Sequence, residues 1–216
     1  ERDFVFSRGA DKELTYDSSL KSRFENNILH FGAATALLGG SLEETYNRYL
    51  FDGITKNAFI SFDPNYRVDL WKNKEDVFIR KCHPYIEKSH LCKFSLEEAQ
   101  LLSGKDNLDE ACQVFHEMGT QIIVITLGSE GTLLSTAKFS KTIPSIKVNP
   151  KDTTGAGDAF IGCLLQQISQ HSKFENVLAD EKLLTNMVAR ANKAGAITTE
   201  NFGAIESLPT LQQLDS

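Results

Sequence analysis

The chain has 216 residues, 41% of them apolar and 24% charged, with a formal net charge of −6. That is enough chain for one α/β domain with a sizeable core, and the acidic balance leaves no basic footprint for nucleic acid or an anionic membrane surface. No apolar run approaches the roughly 18 residues that a membrane-spanning helix needs.

Residues 1–8 alternate polar and apolar side chains, which predicts a strand at 3–7. There is no start methionine and no secretory leader pattern, so the chain reads as beginning inside a domain. A second strand is expected at 28–31 and a helix at 42–54, where Leu42, Tyr46, Leu50 and Gly53 recur at helical spacing. Residues 58–62 form a short buried strand stopped by Asp63-Pro64-Asn65. A helix at 74–87, with Cys82 on a segment ending near Pro84, leads to a strand at 90–94. Ser95 and Glu98 have capping-box spacing for the helix that follows. Leu108, Cys112, Phe115 and Met118 then mark one face of a helix that Gly119 ends.

The run 121–127 is almost continuously apolar, the pattern of a parallel strand covered on both faces. Strands at 132–135 and 142–147 and long helices at 155–170 and 183–198 complete the chain. The strand-helix alternation argues for an α/β sheet with right-handed crossovers. Four cysteines (Cys82, Cys92, Cys112, Cys163) form no CxxC pair, and they read as reduced thiols of a cytoplasmic protein. The Cys82-His83 and His90-x-Cys92 pairs lack zinc-ligand spacing.

The chemistry concentrates in Asp152-Thr153-Thr154-Gly155-Ala156-Gly157-Asp158. Two glycines around a small residue let successive backbone N–H groups point into one space, and the apolar helix that follows adds its positive end. The N–H groups of Ala156, Gly157 and Asp158 thus suit the charge of a phosphoryl group in transfer. Asp158, in the first helical turn, is placed to accept a hydroxyl proton. No GxxxxGK[ST] motif occurs. Gly155-x-Gly157 opens like a dinucleotide fingerprint, but Phe160 takes the place of its third glycine.

The string Asp-Thr-Thr-Gly-Ala-Gly-Asp-Ala-Phe closely resembles the C-terminal signature of the ribokinase-type (PfkB) carbohydrate kinases. The resemblance implies a three-layer α/β/α sandwich with a mainly parallel central sheet and part of a β-strand lid. It runs from residue 1 to about residue 209 and covers the C-terminal two-thirds of a typical member. About 100 residues, including the glycine-rich sugar segment and half the lid, are then expected to precede this chain, with residues 1–16 as the lid remnant of one kinase domain. In such kinases Asp158 is the base and Gly155, Ala156 and Gly157 form the anion hole.

Other segments carry the resemblance further. Thr126-Leu127-Gly128-Ser129-Glu130-Gly131 is either a plain hairpin turn or, as in the family, part of the ATP pocket through Thr126, Gly128 and Gly131. Lys93-Phe94-Ser95-Leu96-Glu97-Glu98 resembles the segment that orders Mg²⁺ and phosphate, with Lys93 and Glu98 as its members; Ser95 stands where asparagine is frequent. Asn192 matches a position near the adenine. Asp152, Thr154, Gly203 and Ser207 match positions that hold a monovalent cation such as K⁺, although Glu206 stands where proline is usual. Ser61-Phe62-Asp63-Pro64-Asn65-Tyr66-Arg67 resembles fructokinases and 2-keto-3-deoxygluconate kinases. Arg67 there meets sugar oxygens or a sugar-acid carboxylate, unless it is a structural arginine. Phe6 and Arg8 match the lid over the sugar, which in relatives also pairs with a partner lid in a homodimer; phenylalanine at 6 favours fructose. The expected function is therefore an ATP- and Mg²⁺-dependent fructokinase, with the keto-acid kinase and a non-catalytic nucleotide-binding relative as alternatives.

Overall fold

The structure is a computed structural model and describes residues 8–171 and 173–215. The strand expected at 3–7 and Phe6 lie outside these residues. The chain divides into two compact units, Glu1–Gln121 and Ile122–Ser216.

In the first unit, β1 (Ile28–Gly32), β2 (Phe59–Asp63) and β3 (Leu91–Ser95) are parallel neighbours, with Phe31 opposite Phe62 and Phe62 opposite Cys92. Parallel pairing needs a crossover after each strand. Helix α1 (Gly40–Thr55) supplies the first, and α2 (Val68–Trp71) with α3 (Glu75–Lys88) the second. All five β2 residues are buried, as expected of a strand covered on both faces. Around it Phe62 stacks on Tyr85 and Trp71 packs on Phe78, with centroids 5.2 and 5.0 Å apart. Helices α4 (Leu96–Ser103) and α5 (Leu108–Met118) follow β3, and Phe115 of α5 stacks on Phe94 at 4.3 Å.

Helix α3 matches the helix expected at 74–87, and Pro84, near which the segment carrying Cys82 was expected to end, lies inside it. Proline removes one N–H donor from the ladder, but the helix buries Phe78, Cys82, Tyr85 and Ile86 along one face, and that packing outweighs one lost bond. His90 accepts the Ile60 N–H on Nδ1 at 3.0 Å and stacks on Phe59. Cys82 and Cys92 are buried core thiols, and burial pushes Cys92 up to about 12, while His83 and His90 are half-buried. Among the described residues no group of three His, Cys, Asp or Glu is arranged to hold a metal.

The second unit contains β4 (Ile122–Thr126), β5 (Thr132–Thr136) and β6 (Ser140–Ile143), joined as antiparallel neighbours. Strand β4 is buried as expected, but its pairing with β5 is antiparallel, because residues 127–131 are too few for a crossover. Strand β6 ends at Ile143 rather than continuing to 147, since Pro144 cannot donate to a ladder. Helices α6 (Ala156–Ser169), α7 (Phe174–Ala179), α8 (Glu181–Thr198) and α9 (Leu211–Asp215) follow. Helix α8 starts two residues earlier than its apolar period implies, because the Asp180 side chain accepts the Leu183 N–H and caps it. No helix among the described residues is long and apolar enough to cross a membrane.

Asn192 joins α8 to the strands. Its Oδ1 accepts the Thr132 hydroxyl at 2.6 Å, and its Nδ2 donates to the Ile143 and Pro144 carbonyls at 2.9 and 3.3 Å. Buried groups left without partners are expensive. We therefore expect Asn192→Ala to destabilise the protein by about 2–3 kcal/mol, read as a lower midpoint in urea unfolding; an unchanged midpoint would show that the amide carries no such load.

Candidate active site

The Asp152–Asp158 loop is fixed by short polar ties within the second unit. The N–H groups of Lys151 and Asp152 donate to the Thr199 carbonyl at 2.7 and 3.1 Å, pinning the loop to the end of α8. The Asp152 carboxylate accepts the Thr154 N–H at 2.9 Å and the Gly203 N–H at 3.4 Å. Gly155 then turns with φ +81°, the left-handed region where a β-carbon is costly. It is also in contact: a Cβ there would lie 2.8 Å from the Ala204 Cβ and 3.1 Å from its Cα. Helix α6 starts at the next residue, and Gly195 of α8 comes so near that an added Cβ would sit 3.0 Å from the Ala156 carbonyl oxygen.

Gly155 offers no side-chain cap, and the first intrahelical bond runs from the Ala159 N–H to the Gly155 carbonyl at 2.8 Å. The N–H groups of Gly157 and Asp158 lie ahead of that bond, at the positive helix end. The Ala156 N–H instead turns back to the Thr153 carbonyl at 3.3 Å, so it would have to be released to join an anion hole. The Asp158 side chain is exposed.

The family resemblance groups Asp152, Thr154, Gly203 and Ser207 as expected ligands of a monovalent cation. Hydrogen bonds unite the first three, whereas the Ser207 hydroxyl donates to the Phe202 carbonyl at 3.2 Å. The carboxylate and nearby carbonyls are oxygen donors of the kind K⁺ takes, but the same carboxylate is already the loop's internal tie. Thr126 closes β4, and Gly128 (φ +59°) begins the tight turn to β5. Gly131 (φ +105°) passes so close to β6 that a Cβ would meet the Ile143 carbonyl at 2.1 Å. These residues build the β4–β5 turn, and the Asn192 amide is spent on Thr132 at the start of β5 and on Ile143 and Pro144 at the end of β6.

In the first unit a buried charged cluster stands at the ends of β2 and β3. Lys93 Nζ pairs with Asp63 at 2.9 Å, both side chains being largely removed from water. Glu98, also buried, accepts the Tyr66 N–H on Oε1 at 2.7 Å and the Ser95 N–H on Oε2 at 2.8 Å. Ser95 in turn accepts the Glu98 N–H, completing the expected capping box. Burial raises the Glu98 carboxyl above its ordinary value; Lys93 and the two N–H donors oppose that rise, and Asp63 adds to it. Glu98 thus reaches from α4 to the turn preceding Arg67, whose guanidinium folds back to the Tyr66 carbonyl at 3.3 Å. Arg8 pairs through Nε with Asp11 at 2.9 Å.

Both carboxylates of this cluster are already engaged, so they form no open protein cage for Mg²⁺. They fit an ion carried in on nucleotide phosphates, which takes few protein ligands. Sequence reasoning missed Asp11, Thr199, Ala204 and Gly195. Asp11 had a signal in its three-residue spacing from the basic Arg8, and the other three lie in segments 192–196 and 198–204 that resemble the family, but they act through backbone or small-residue contacts that gave them no role.

Two outcomes follow from this geometry. Gly155→Ala should cost about 1–3 kcal/mol in stability and weaken ATP binding measured by titration calorimetry. Adding Ala204→Gly should return only part of the loss, because the φ strain remains; full recovery would place the whole effect in the contact. For Glu98, the folded carboxyl lies above its ordinary value of 4.5, so the folded state holds its proton to higher pH than the unfolded state. Its contribution is fully present below about 4.5 and declines as pH rises toward the raised folded value. The stability of the parent protein relative to Glu98→Gln should fall over that window in denaturant melts; a flat difference would contradict the burial argument.

Comparison with known proteins fits this arrangement. The family model described as pfkB family carbohydrate kinase matches residues 1–211. Fructokinase-1 of Zea mays is 34% identical over 214 residues, covering 97% of this chain and 65% of the relative. The crystal structure of fructokinase from Vibrio cholerae O395 in a fructose, ADP and calcium ion bound form superposes with a TM-score of 0.79 at 28% identity. It covers 88% of this chain and 60% of that one. The fructokinase from Xylella fastidiosa with bound ATP has a TM-score of 0.87 over 99% of this chain and 69% of its own, at 22% identity, and supports the fold alone. The fold is therefore ribokinase-like, and the chain spans about 65% of the length of such curated relatives. By the family match over nearly all its residues, this chain belongs to the pfkB family of carbohydrate kinases.

Proposed function

We propose that the complete protein is a fructokinase that transfers the γ-phosphate of ATP to the 6-hydroxymethyl group of fructose. The observation that carries this reading is the exposed Asp158 in the first turn of α6, beside N–H groups that precede the first helical bond. The sugar hydroxyl oxygen forms its bond to the γ-phosphorus while the bond to the β,γ-bridging oxygen breaks and ADP leaves. Asp158 takes the hydroxyl proton. The N–H groups of Gly157 and Asp158, with that of Ala156 once it leaves Thr153, face the charge on the transferring phosphoryl oxygens.

Thr126, Gly128 and Gly131 border the nucleotide, with Asn192 acting through its hold on Thr132 beside their turn. Arg8 and Arg67 meet the sugar. Mg²⁺ supplies charge neutralisation on the phosphates, with Lys93 and Glu98 ordering its surroundings. Asp152, Thr154 and Gly203 are the donors for K⁺, and Ser207 joins them only by giving up Phe202. A cytoplasmic location and a homodimer formed through the lid belong to the same reading.

Asp158→Asn in the complete protein tests the assignment. Fructose phosphorylation, followed by coupled ADP release, should fall about 10²–10⁴-fold, with ATP still bound in calorimetry. Activity near that of the parent protein would remove Asp158 as the base. ATP binding by the parent without turnover of any sugar would instead identify a nucleotide-binding relative that has lost catalysis.

A further inference from the structure

We propose that Asp11 makes the sugar pocket select a neutral sugar over a sugar acid. The proposal rests on the kinase reading above and names the substrate class of that site. A cavity of about 530 Å³ in the first unit lies between the short 3₁₀ turn Ala10–Glu13, the end of β1 and the turn after β2. Its polar lining comes from Asp11, Thr35, Tyr46 and Asn65, and Asp11 is the sole charged residue among the described residues that line it. A carboxylate in that wall accepts hydrogen bonds from sugar hydroxyls, whereas the carboxylate of a sugar acid offers it no donor.

The same aspartate changes what Arg8 can recognise. Asp11 Oδ2 accepts from Arg8 Nε at 2.9 Å, and Oδ1 accepts the Gly9 N–H at 2.9 Å. The Arg8 hydrogen bond holds the Asp11 carboxyl below its ordinary value, and the ion pair at 2.9 Å offsets the Arg8 charge. Arg8 Nη2 is nevertheless buried and has no hydrogen-bond partner among the described residues. A buried donor of this kind calls for an acceptor, and the hydroxyl oxygen of a neutral sugar supplies one without a second negative charge. An arginine facing an acid would be left open for bidentate pairing; here its Nε edge is closed by Asp11.

Sugar specificity of the complete protein tests this, with D-fructose and 2-keto-3-deoxygluconate compared by kcat/KM in a coupled ADP assay. The parent protein should prefer fructose. Asp11→Asn, which keeps the shape but removes the charge, should shrink the fructose preference about tenfold, while Asp11→Glu should largely keep it. A preference unchanged within about twofold in an active Asp11→Asn protein would overturn the proposal. So would equal losses in Asp11→Asn and Asp11→Glu, since that result would mark a shape effect. A parent protein that prefers the sugar acid sinks this inference and the choice of fructose but leaves the kinase reading standing; one that phosphorylates neither sugar removes the kinase reading and this inference with it.

Discussion

Helix α6 can begin where it does only because residue 155 has no side chain. The backbone there is left-handed, and its Cα side is closed by Ala204, so two independent restrictions meet at one glycine. Everything chemical in the second unit hangs from that point: the preceding loop returns to Thr199 and Gly203, and the following turn carries Asp158. Helix α8 reinforces the arrangement at its own glycine, Gly195, which lets it approach the Ala156 carbonyl. Close packing and short backbone ties thus fix the Gly157 and Asp158 N–H groups at the start of α6, whereas the Ala156 N–H is held by the Thr153 carbonyl.

The first unit relies on a different constraint. Charges are rarely taken out of water, and a buried pair is tolerated only when every oxygen and proton finds a partner. Asp63, Lys93 and Glu98 meet that condition by binding each other's elements: β2 to β3 through the ion pair, and α4 to the Tyr66 turn through the Glu98 carboxylate. The cluster therefore stiffens the short segment that presents Arg67. Its carboxylates are occupied by protein groups. Glu98, which the family resemblance leads one to expect near Mg²⁺, is thus also the clamp on the Arg67 turn.

Much of this was legible in the residues. The strand-helix alternation, the Ser95–Glu98 capping box and the Gly-Ala-Gly-Asp helix start each depend on local geometry, and each formed as its local chemistry dictates. Strand direction was less legible, because burial on both faces describes β4 equally well beside parallel or antiparallel neighbours; the shortness of residues 127–131 was the better guide. The helix at 74–87 was legible from its apolar period, and Pro84 lies within it because the buried face, not the local proline rule, decides its length. The role of Asn192 in bracing the β5–β6 hairpin, and the contact of Ala204 with Gly155, join residues far apart in sequence. No local pattern encodes such contacts.

The central claim concerns a single proton. A crystal structure of the complete protein with fructose and a non-hydrolysable ATP analogue would test it most directly. The account predicts an Asp158 carboxylate oxygen within about 2.6–3.2 Å of the hydroxymethyl oxygen of the sugar, with the γ-phosphate at the N-terminus of α6. A sugar hydroxyl aimed at another base, or a phosphate bound away from that helix end, would contradict it.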